Sequence, residues 1–429
     1  MAHNFSVTIY PHTFTGSVEA IPSKSHLHRL LICASLADEE TIINCAHTDA
    51  EDISATINCL KALGAKIERI ESAYKVTPLK NELLPKSCTL PCMESGSTLR
   101  FMLPIVSALG ISGEFHLAGR LGERPILHLE NELMRNGIQI IRPCNCVISC
   151  KGQLQPGQFY LPGNISSQYI SGLLMALPLL SSDSKLIVSE PIESENYISL
   201  TLNVLDTFGQ KIFKNRNFYE IKGGAGFRGP QHLSAEGDWS NAAFWLAAGA
   251  MPGGDIKLTG LCKNSLQGDS QVCKVLKQMG TSVKWDGDTL FVSEGKRRNI
   301  EIDAAHIPDL IPPLAAVSAV SEGCTTIRNA ARLRLKESDR LSAISNCLNA
   351  LGAKVSEKSD GLRIEGVSHL KGGIIDSCGD HRIAMMAAVA SAACTETVTI
   401  KNAQAVNKSY PNFFEKLSKL GKQIEVHNE

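Results

Sequence analysis

No apolar run in this 429-residue chain approaches a membrane span: the longest, Leu173 to Leu180 and Ala242 to Met251, stop well short of roughly 18 residues. A membrane protein is not expected. Charge of one sign is missing too, because Lys plus Arg and Asp plus Glu balance at 43 each. No overall field is available to hold nucleic acid or an anionic membrane, so any cationic work must be local. The start of the chain lacks the charged-then-apolar layout of a secretory leader. Phe5, Val7 and Ile9 alternate with polar neighbours as a strand does, and the protein is expected in the cytoplasm. The fourteen cysteines lack the dense spacing of a disulfide scaffold. Most, such as Cys33, Cys59 and Cys347, sit in apolar surroundings and read as buried free thiols. The tightest group, Cys144, Cys146 and Cys150, reads as same-face positions of one alternating strand. No second Cys or His pair at zinc spacing accompanies it, so no metal is expected.

What the chain does contain is a repeat. Six segments end an apolar-periodic helix at a glycine and continue as strand, short polar turn and second strand. Their glycines, Gly64, Gly137, Gly209, Gly280, Gly352 and Gly421, are 73, 72, 71, 72 and 69 residues apart. Each follows the last apolar helical residue, where a left-handed conformation suits a residue without Cβ. The other half of each unit is an Ala- and Leu-rich helix followed by a strand such as GEFHLAG or GDIKLTG. Six βαβαββ units must bury their apolar helices together, and two groups of three do so as two similar lobes. The expected class is therefore α/β with a pseudo-twofold pair of lobes. The sixth unit ends without its final strand, so the N-terminal strand is expected to complete that lobe. Residues 1–21 with 238–429 form one expected lobe and 22–237 the other, with crossings near Ile21 and Gly237. Clefts between such lobes are favoured ligand sites.

Short polar clusters precede the apolar helices: PSKSHLHR, ESGSTLR, SSQ, EGDWS, IPD and GDHR. Helix N-termini attract anions through exposed N–H groups and the positive dipole end, and Lys24, Arg29, Arg100 and Arg382 would reinforce them. Ser and Asp there also serve as simple caps, but capping does not call for Lys or Arg. In RLRLKESDRL, Lys336 and Arg340 are four apart and share a face if a helix has begun, which places two cations together and asks for an anion. Arg124 in GERP, Arg382 in GDHR and Lys408 in NKSYPNFF add further groups suited to phosphate or carboxylate.

From PSKSHLHRLL through SGSTLRF, GERPI, SSQYISGLL, EGDWS, NSLQGD, IPD, RLKESDR and GDHRIAM to KSYPNFF, the whole chain resembles the EPSP synthases. The resemblance implies the inverse α/β fold of two three-unit lobes. It also implies transfer of the enolpyruvyl group of phosphoenolpyruvate to shikimate-3-phosphate, by a monomer needing neither metal nor organic cofactor. By motif, Lys24, Ser25 and Arg29 are expected to meet shikimate-3-phosphate, Ser25 and Arg29 at its carboxylate. Ser166, Ser167 and Ser194 would hold its phosphate, while Gln168, Tyr197, Asp309 and Lys336 would surround its ring and hydroxyls. Lys24, Gly96, Arg124, Gln168, Arg340, Arg382 and Lys408 match the phosphoenolpyruvate site. Asp309 is assigned the 5-hydroxyl proton and Glu337 the proton added to carbon, with Lys24 a third group for proton handling. The bland readings are a helix cap for Asp309 and a surface partner of Arg340 for Glu337.

This sequence departs from the family pattern in places. It reads PSKS where many members have PGSKS, Glu94 where Asn is common, Ser97 where Thr is, and Arg332 where some have a substrate-touching Asn. His381 reads as positioning its neighbours. The sister family that uses UDP-N-acetylglucosamine carries a loop cysteine before an Arg-Pro, which LAGRLGERP lacks, and Asn after its lysine, where Ser25 stands here. A ring-shaped DNA clamp built from similar units would need a basic inner surface, which the zero net charge disfavours.

Overall fold

The computed structural model describes residues 4–46, 49–421 and 423–428. The chain forms two compact units. One comprises the N-terminal stretch through Ser23, Asp49 with Ala50, and the chain from Glu236 onward; the other takes up most of the intervening sequence from Lys24 to Ala235. At the boundary the Ser23 N–H donates to the Glu236 carbonyl at 2.7 Å, and Pro22 bridges Gly237.

Each unit contains three four-stranded sheets of one design. Ser87–Met93 runs parallel to Ser112–Leu117, which pairs antiparallel with Val147–Gly152, which in turn pairs antiparallel with Ile138–Cys144. The parallel pair is joined by the buried helix Gly96–Ala108. The helix Leu127–Arg135 leads into the hairpin. The sheets borrow strands from distant sequence. His232–Ser234 joins the sheet of Thr41–Asn44, and Thr15–Glu19 joins that of Asp255–Thr259. Phe5–Ile9 lies between Val398–Lys401 and Ile424–Asn428, where the sixth repeat has no strand of its own. The alternating stretch Phe5–Ile9 is one strand as expected, and a second strand, Thr15–Glu19, follows it before Pro22.

All six repeat glycines have positive φ, from 78° at Gly209 to 107° at Gly64. At Gly64 the reason is on view: Gly64 N–H donates to Lys61 O and Ala65 N–H to Leu60 O. That pair of bonds ends a helix only when the residue between them is left-handed.

Helices Lys24–Ser35, Gly96–Ala108 and Ser167–Ala176 fill one unit's core, and Trp239–Ala250, Ile311–Ala319 and His381–Ala390 the other's. Every residue of Trp239–Ala250 is buried, as expected for a helix apolar on all sides. Small residues let such helices touch: a Cβ on Gly172 would strike the Arg100 carbonyl. Buried sides leave only the helix ends available for chemistry, and the polar clusters sit at those ends. Among the described residues no helix is long and apolar enough to cross a membrane.

Candidate active site

In the unit containing the C-terminal half, the chain before Ile311–Ala319 tightens into a 3₁₀ turn, Pro308–Leu310. Asp309 does not cap the helix there. Its Oδ1 lies 2.7 Å from Arg340 Nη1 and 3.6 Å from Lys336 Nζ, and its Oδ2 lies 3.2 Å from Arg382 Nη2. Burial alone would raise the Asp309 carboxyl, but Arg382, Lys336 and Arg340 outweigh it and hold the group well below the ordinary carboxylate range. Asp309 is ionised.

Arg340 is 1% exposed and meets three carboxylates: Asp380 through Nε at 2.8 Å, Glu337 through Nη2 at 2.7 Å, and Asp309. This corrects the expectation of two unbalanced cations on one helical face. The helix Arg340–Ala350 begins at Arg340, capped by Asp339, and Lys336 lies outside it in extended backbone. The two cations converge on Asp309 from different elements, and Glu337, next to Lys336, and Asp380, from a further segment, balance the arginine. Glu337 is indeed a partner of Arg340, but at 13% side-chain exposure it is no surface pair. The Lys336 ammonium is brought down to about 8, chiefly by burial, with Asp309 opposing and Arg340 adding repulsion. Asp380 both caps His381–Ala390, accepting from Arg382 N–H at 3.0 Å, and grips Arg340. In GDHR the sequence points to the arginine, and the structure adds the aspartate beside it. Lys408 and His381 are buried, Lys408 at the end of the 3₁₀ stretch Ala403–Lys408.

In the other unit, Lys24 opens the helix Lys24–Ser35 and pairs with Asp52 Oδ2 at 2.7 Å. Nothing local in the sequence marks Asp52, because the pairing depends on how two helices pack. Arg29 is buried and, among the described residues, hydrogen-bonds only neutral oxygens: Thr201 Oγ1 at 2.7 Å, Ser25 O at 2.6 Å, Tyr197 O at 3.2 Å and Ser171 Oγ at 3.4 Å. Burial holds its guanidinium down at about 10, with no carboxylate partner among the described residues. A buried cation lacking a counter-charge is costly unless an anion arrives.

Gln168 bridges Arg100, whose Nη1 donates to it at 2.9 Å, and Ser97, to which it donates at 2.8 Å. Gly96 admits these side chains: a Cβ there would collide with the Arg100 guanidinium and come within 3.0 Å of Arg124 Nη1. Ser166 caps Ser167–Ala176 by accepting from Gln168 N–H at 3.3 Å, so its capping role holds alongside any other. Ser194, left-handed at φ 53°, precedes Glu195–Thr207, whose first turn carries Tyr197. Asp309, Glu337, Lys336, Arg340 and Arg382 are brought together in one unit. Gly96, Arg124 and Gln168 gather around Arg100 in the other, where Ser25, Arg29 and Tyr197 meet through Arg29.

The three cysteines do not share one strand. Cys144 ends a strand, Cys146 lies in the hairpin turn and Cys150 is buried on the returning strand. Among the described residues no three His, Cys, Asp or Glu are grouped so as to hold a metal ion.

Residues 10–417 match the family described as EPSP synthase (3-phosphoshikimate 1-carboxyvinyltransferase). The chain belongs to the EPSP synthase family. Relatives named 3-phosphoshikimate 1-carboxyvinyltransferase include one from Clostridium novyi, 40% identical over 98% of both chains. Another, from Clostridioides difficile, is 41% identical over 99% of both. An EPSP synthase structure from Acinetobacter baumannii superposes with a TM-score of 0.81 at 25% identity, covering 99% of this chain and 100% of that one. The enolpyruvyl transferase NikO from Streptomyces tendae matches over the full length of both chains with a TM-score of 0.80, at 19% identity, and so bears on the fold alone. The EPSP synthase fold of two similar three-repeat lobes accounts for all six sheets described above.

Proposed function

We propose that this protein transfers the enolpyruvyl group of phosphoenolpyruvate to the 5-hydroxyl of shikimate-3-phosphate, releasing phosphate through a tetrahedral adduct. The observation that carries the residue assignment is Asp309, an ionised carboxylate gripped by Arg340, Arg382 and Lys336 with Glu337 on the same arginine. A carboxylate so stabilised is a weak base. It suffices here, because the hydroxyl becomes strongly acidic only as its oxygen bonds to C2 of phosphoenolpyruvate. Asp309 then takes that proton while Glu337 delivers one to the methylene carbon; in the collapse of the adduct the resulting methyl group returns a proton to Glu337 as the C=C bond re-forms and the C–O bond to phosphate breaks. Lys24 serves as a further proton-handling group.

Arg29 binds the shikimate carboxylate with Ser25, which answers its missing counter-charge. Ser166, Ser167 and Ser194 take the sugar phosphate, and Gln168, Tyr197, Lys24 and Lys336 line the ring. Gly96, Arg124, Arg340, Arg382, Lys408, Lys24 and Gln168 receive phosphoenolpyruvate, their cations stabilising charge that grows in the adduct. The enzyme acts as a cytoplasmic monomer on these two small anions without a metal or organic cofactor.

The test is phosphate release from phosphoenolpyruvate with shikimate-3-phosphate or UDP-N-acetylglucosamine as acceptor. Release is expected only with shikimate-3-phosphate, and Asp309→Asn should lower kcat by about 10²–10⁴-fold, the usual worth of a general base. Release with the nucleotide sugar alone would overturn the acceptor, and an unaffected variant would overturn the role of Asp309.

A further inference from the structure

Two of the cysteines form an exposed pair with adjacent sulfurs, a pairing that the other exposed cysteines, Cys262, Cys324 and Cys378, do not show among the described residues. Cys33, Cys92, Cys150 and Cys347 are buried, and burial pushes their thiols up and out of reactivity. Cys144 and Cys146 are both exposed, on either side of Asn145 at the tip of the hairpin between Ile138–Cys144 and Val147–Gly152. Their sulfurs are 2.7 Å apart. Each thiol alters the other: their hydrogen bond lowers Cys144 and raises Cys146. One becomes the better nucleophile while the other stays a protonated neighbour.

The hairpin tip is also tied to the segment that carries Arg124. The Cys146 carbonyl accepts from Leu117 N–H at 2.8 Å, at the end of the strand Ser112–Leu117. The Asn145 carbonyl lies so close to Gly122 that a Cβ there would overlap it. Gly122 belongs to the 3₁₀ stretch Gly119–Glu123, and Arg124 follows immediately, its N–H donating to Leu121 O at 3.2 Å.

We propose that Cys144 and Cys146 are a redox-modification site, a dithiol that peroxides close to a disulfide, shifting the turn that positions Arg124. The thiolate of Cys144 attacks one peroxide oxygen of hydrogen peroxide; the O–O bond breaks, leaving a sulfenic acid and, after protonation, one water. The sulfur of Cys146 then attacks the Cys144 sulfur, loses its proton and expels the sulfenic oxygen as a second water. The pair gives up two electrons and two protons, and one peroxide becomes two waters. A disulfide requires the sulfurs to reach about 2.05 Å with a dihedral near 90°. Across a three-residue span this turns the Asn145 peptide, and Gly122 leaves that peptide no slack. The effect on substrate rests on the assignment of Arg124 to phosphoenolpyruvate.

The test treats the reduced full-length protein with about one equivalent of hydrogen peroxide and maps its peptides by mass. The peptide spanning Cys144 and Cys146 should lose two hydrogens before any other cysteine is modified, and dithiothreitol should restore them. KM for phosphoenolpyruvate should rise several-fold on oxidation and recover on reduction, whereas Cys144→Ser/Cys146→Ser should keep its KM through the treatment. Prior oxidation of another cysteine, or no intrapeptide disulfide, would overturn the site. A disulfide with unchanged KM would overturn its coupling to Arg124. If the protein consumes no phosphoenolpyruvate in either state, the functional reading fails while the mass map still decides the dithiol.

Discussion

Raising the pH through 8 removes one of the three positive charges that surround Asp309. Lys336 stands 3.6 Å from the Asp309 carboxylate with its side chain 26% exposed, and burial sets its ammonium at about 8. With that value about nine tenths of the free enzyme carries the charge at pH 7 and about one tenth at pH 9. Because kcat/KM reports ionisations of the free enzyme, it should fall about tenfold between those pH values if the cation is required to hold substrate. Lys336→Arg, with a guanidinium that stays charged, should move this alkaline limb out of the range. The assay is phosphate release at limiting shikimate-3-phosphate from pH 6 to 10, with both proteins. A wild-type profile flat to pH 9, or the same limb in the variant, would refute the argument. Stability should move the opposite way. The folded value lies below the ordinary 10.5, so the unfolded chain keeps its proton longer. The cost of burying the ammonium is therefore present in full below about 8 and is relieved as pH rises toward 10.5.

Two other outcomes follow from buried geometry. Gly96→Ala places a methyl against Arg100 and Arg124, so KM for phosphoenolpyruvate should rise about tenfold or more while the unfolding midpoint changes little; an unchanged KM would separate Gly96 from that substrate. His28 is fully buried, with Nδ1 2.7 Å from Thr56 Oγ1. Burial, with help from Lys24 and Arg29 against Asp52, holds its imidazole down at about 3. Between pH 6.5 and that value the unfolded chain binds a proton the folded one refuses, so this residue removes up to about 1.4 kcal/mol per pH unit as pH falls. His28→Gln should therefore lose less stability than wild type between pH 6.5 and 4.5, measured by urea unfolding; parallel curves would mean that His28 titrates normally in the fold.

The repeat was legible because it is written in local chemistry. A glycine needed at each left-handed helix end recurs in all six units, and all six have positive φ. The Ala-rich helices read as buried because no face of them is polar. The cluster around Asp309 was legible only as a set of residue types. RLKESDR gave the cations and Glu337, but the spacing suggested a helix already begun at Lys336, and the helix starts at Arg340. Asp380 and Asp52, which neutralise Arg340 and Lys24, gave no signal of their own, since an aspartate near a helix start reads first as a cap. The cysteine group is illegible for a related reason: the strand alternation of the sequence continues through a turn that Asn145 and Cys146 make.

The sequence by itself determined the six-unit architecture, the family, and the helix ends where polar and charged side chains gather, because helix termination, apolar periodicity and motif order are properties of neighbouring residues. Only the tertiary structure decided which charges offset which. It set Asp309 among three cations, left Arg29 with neutral oxygens alone among the described residues, and gave Phe5–Ile9 to a sheet whose other strands lie nearly four hundred residues away. Coulomb energies and strand pairing depend on distances in space, and those are set by how the helices pack.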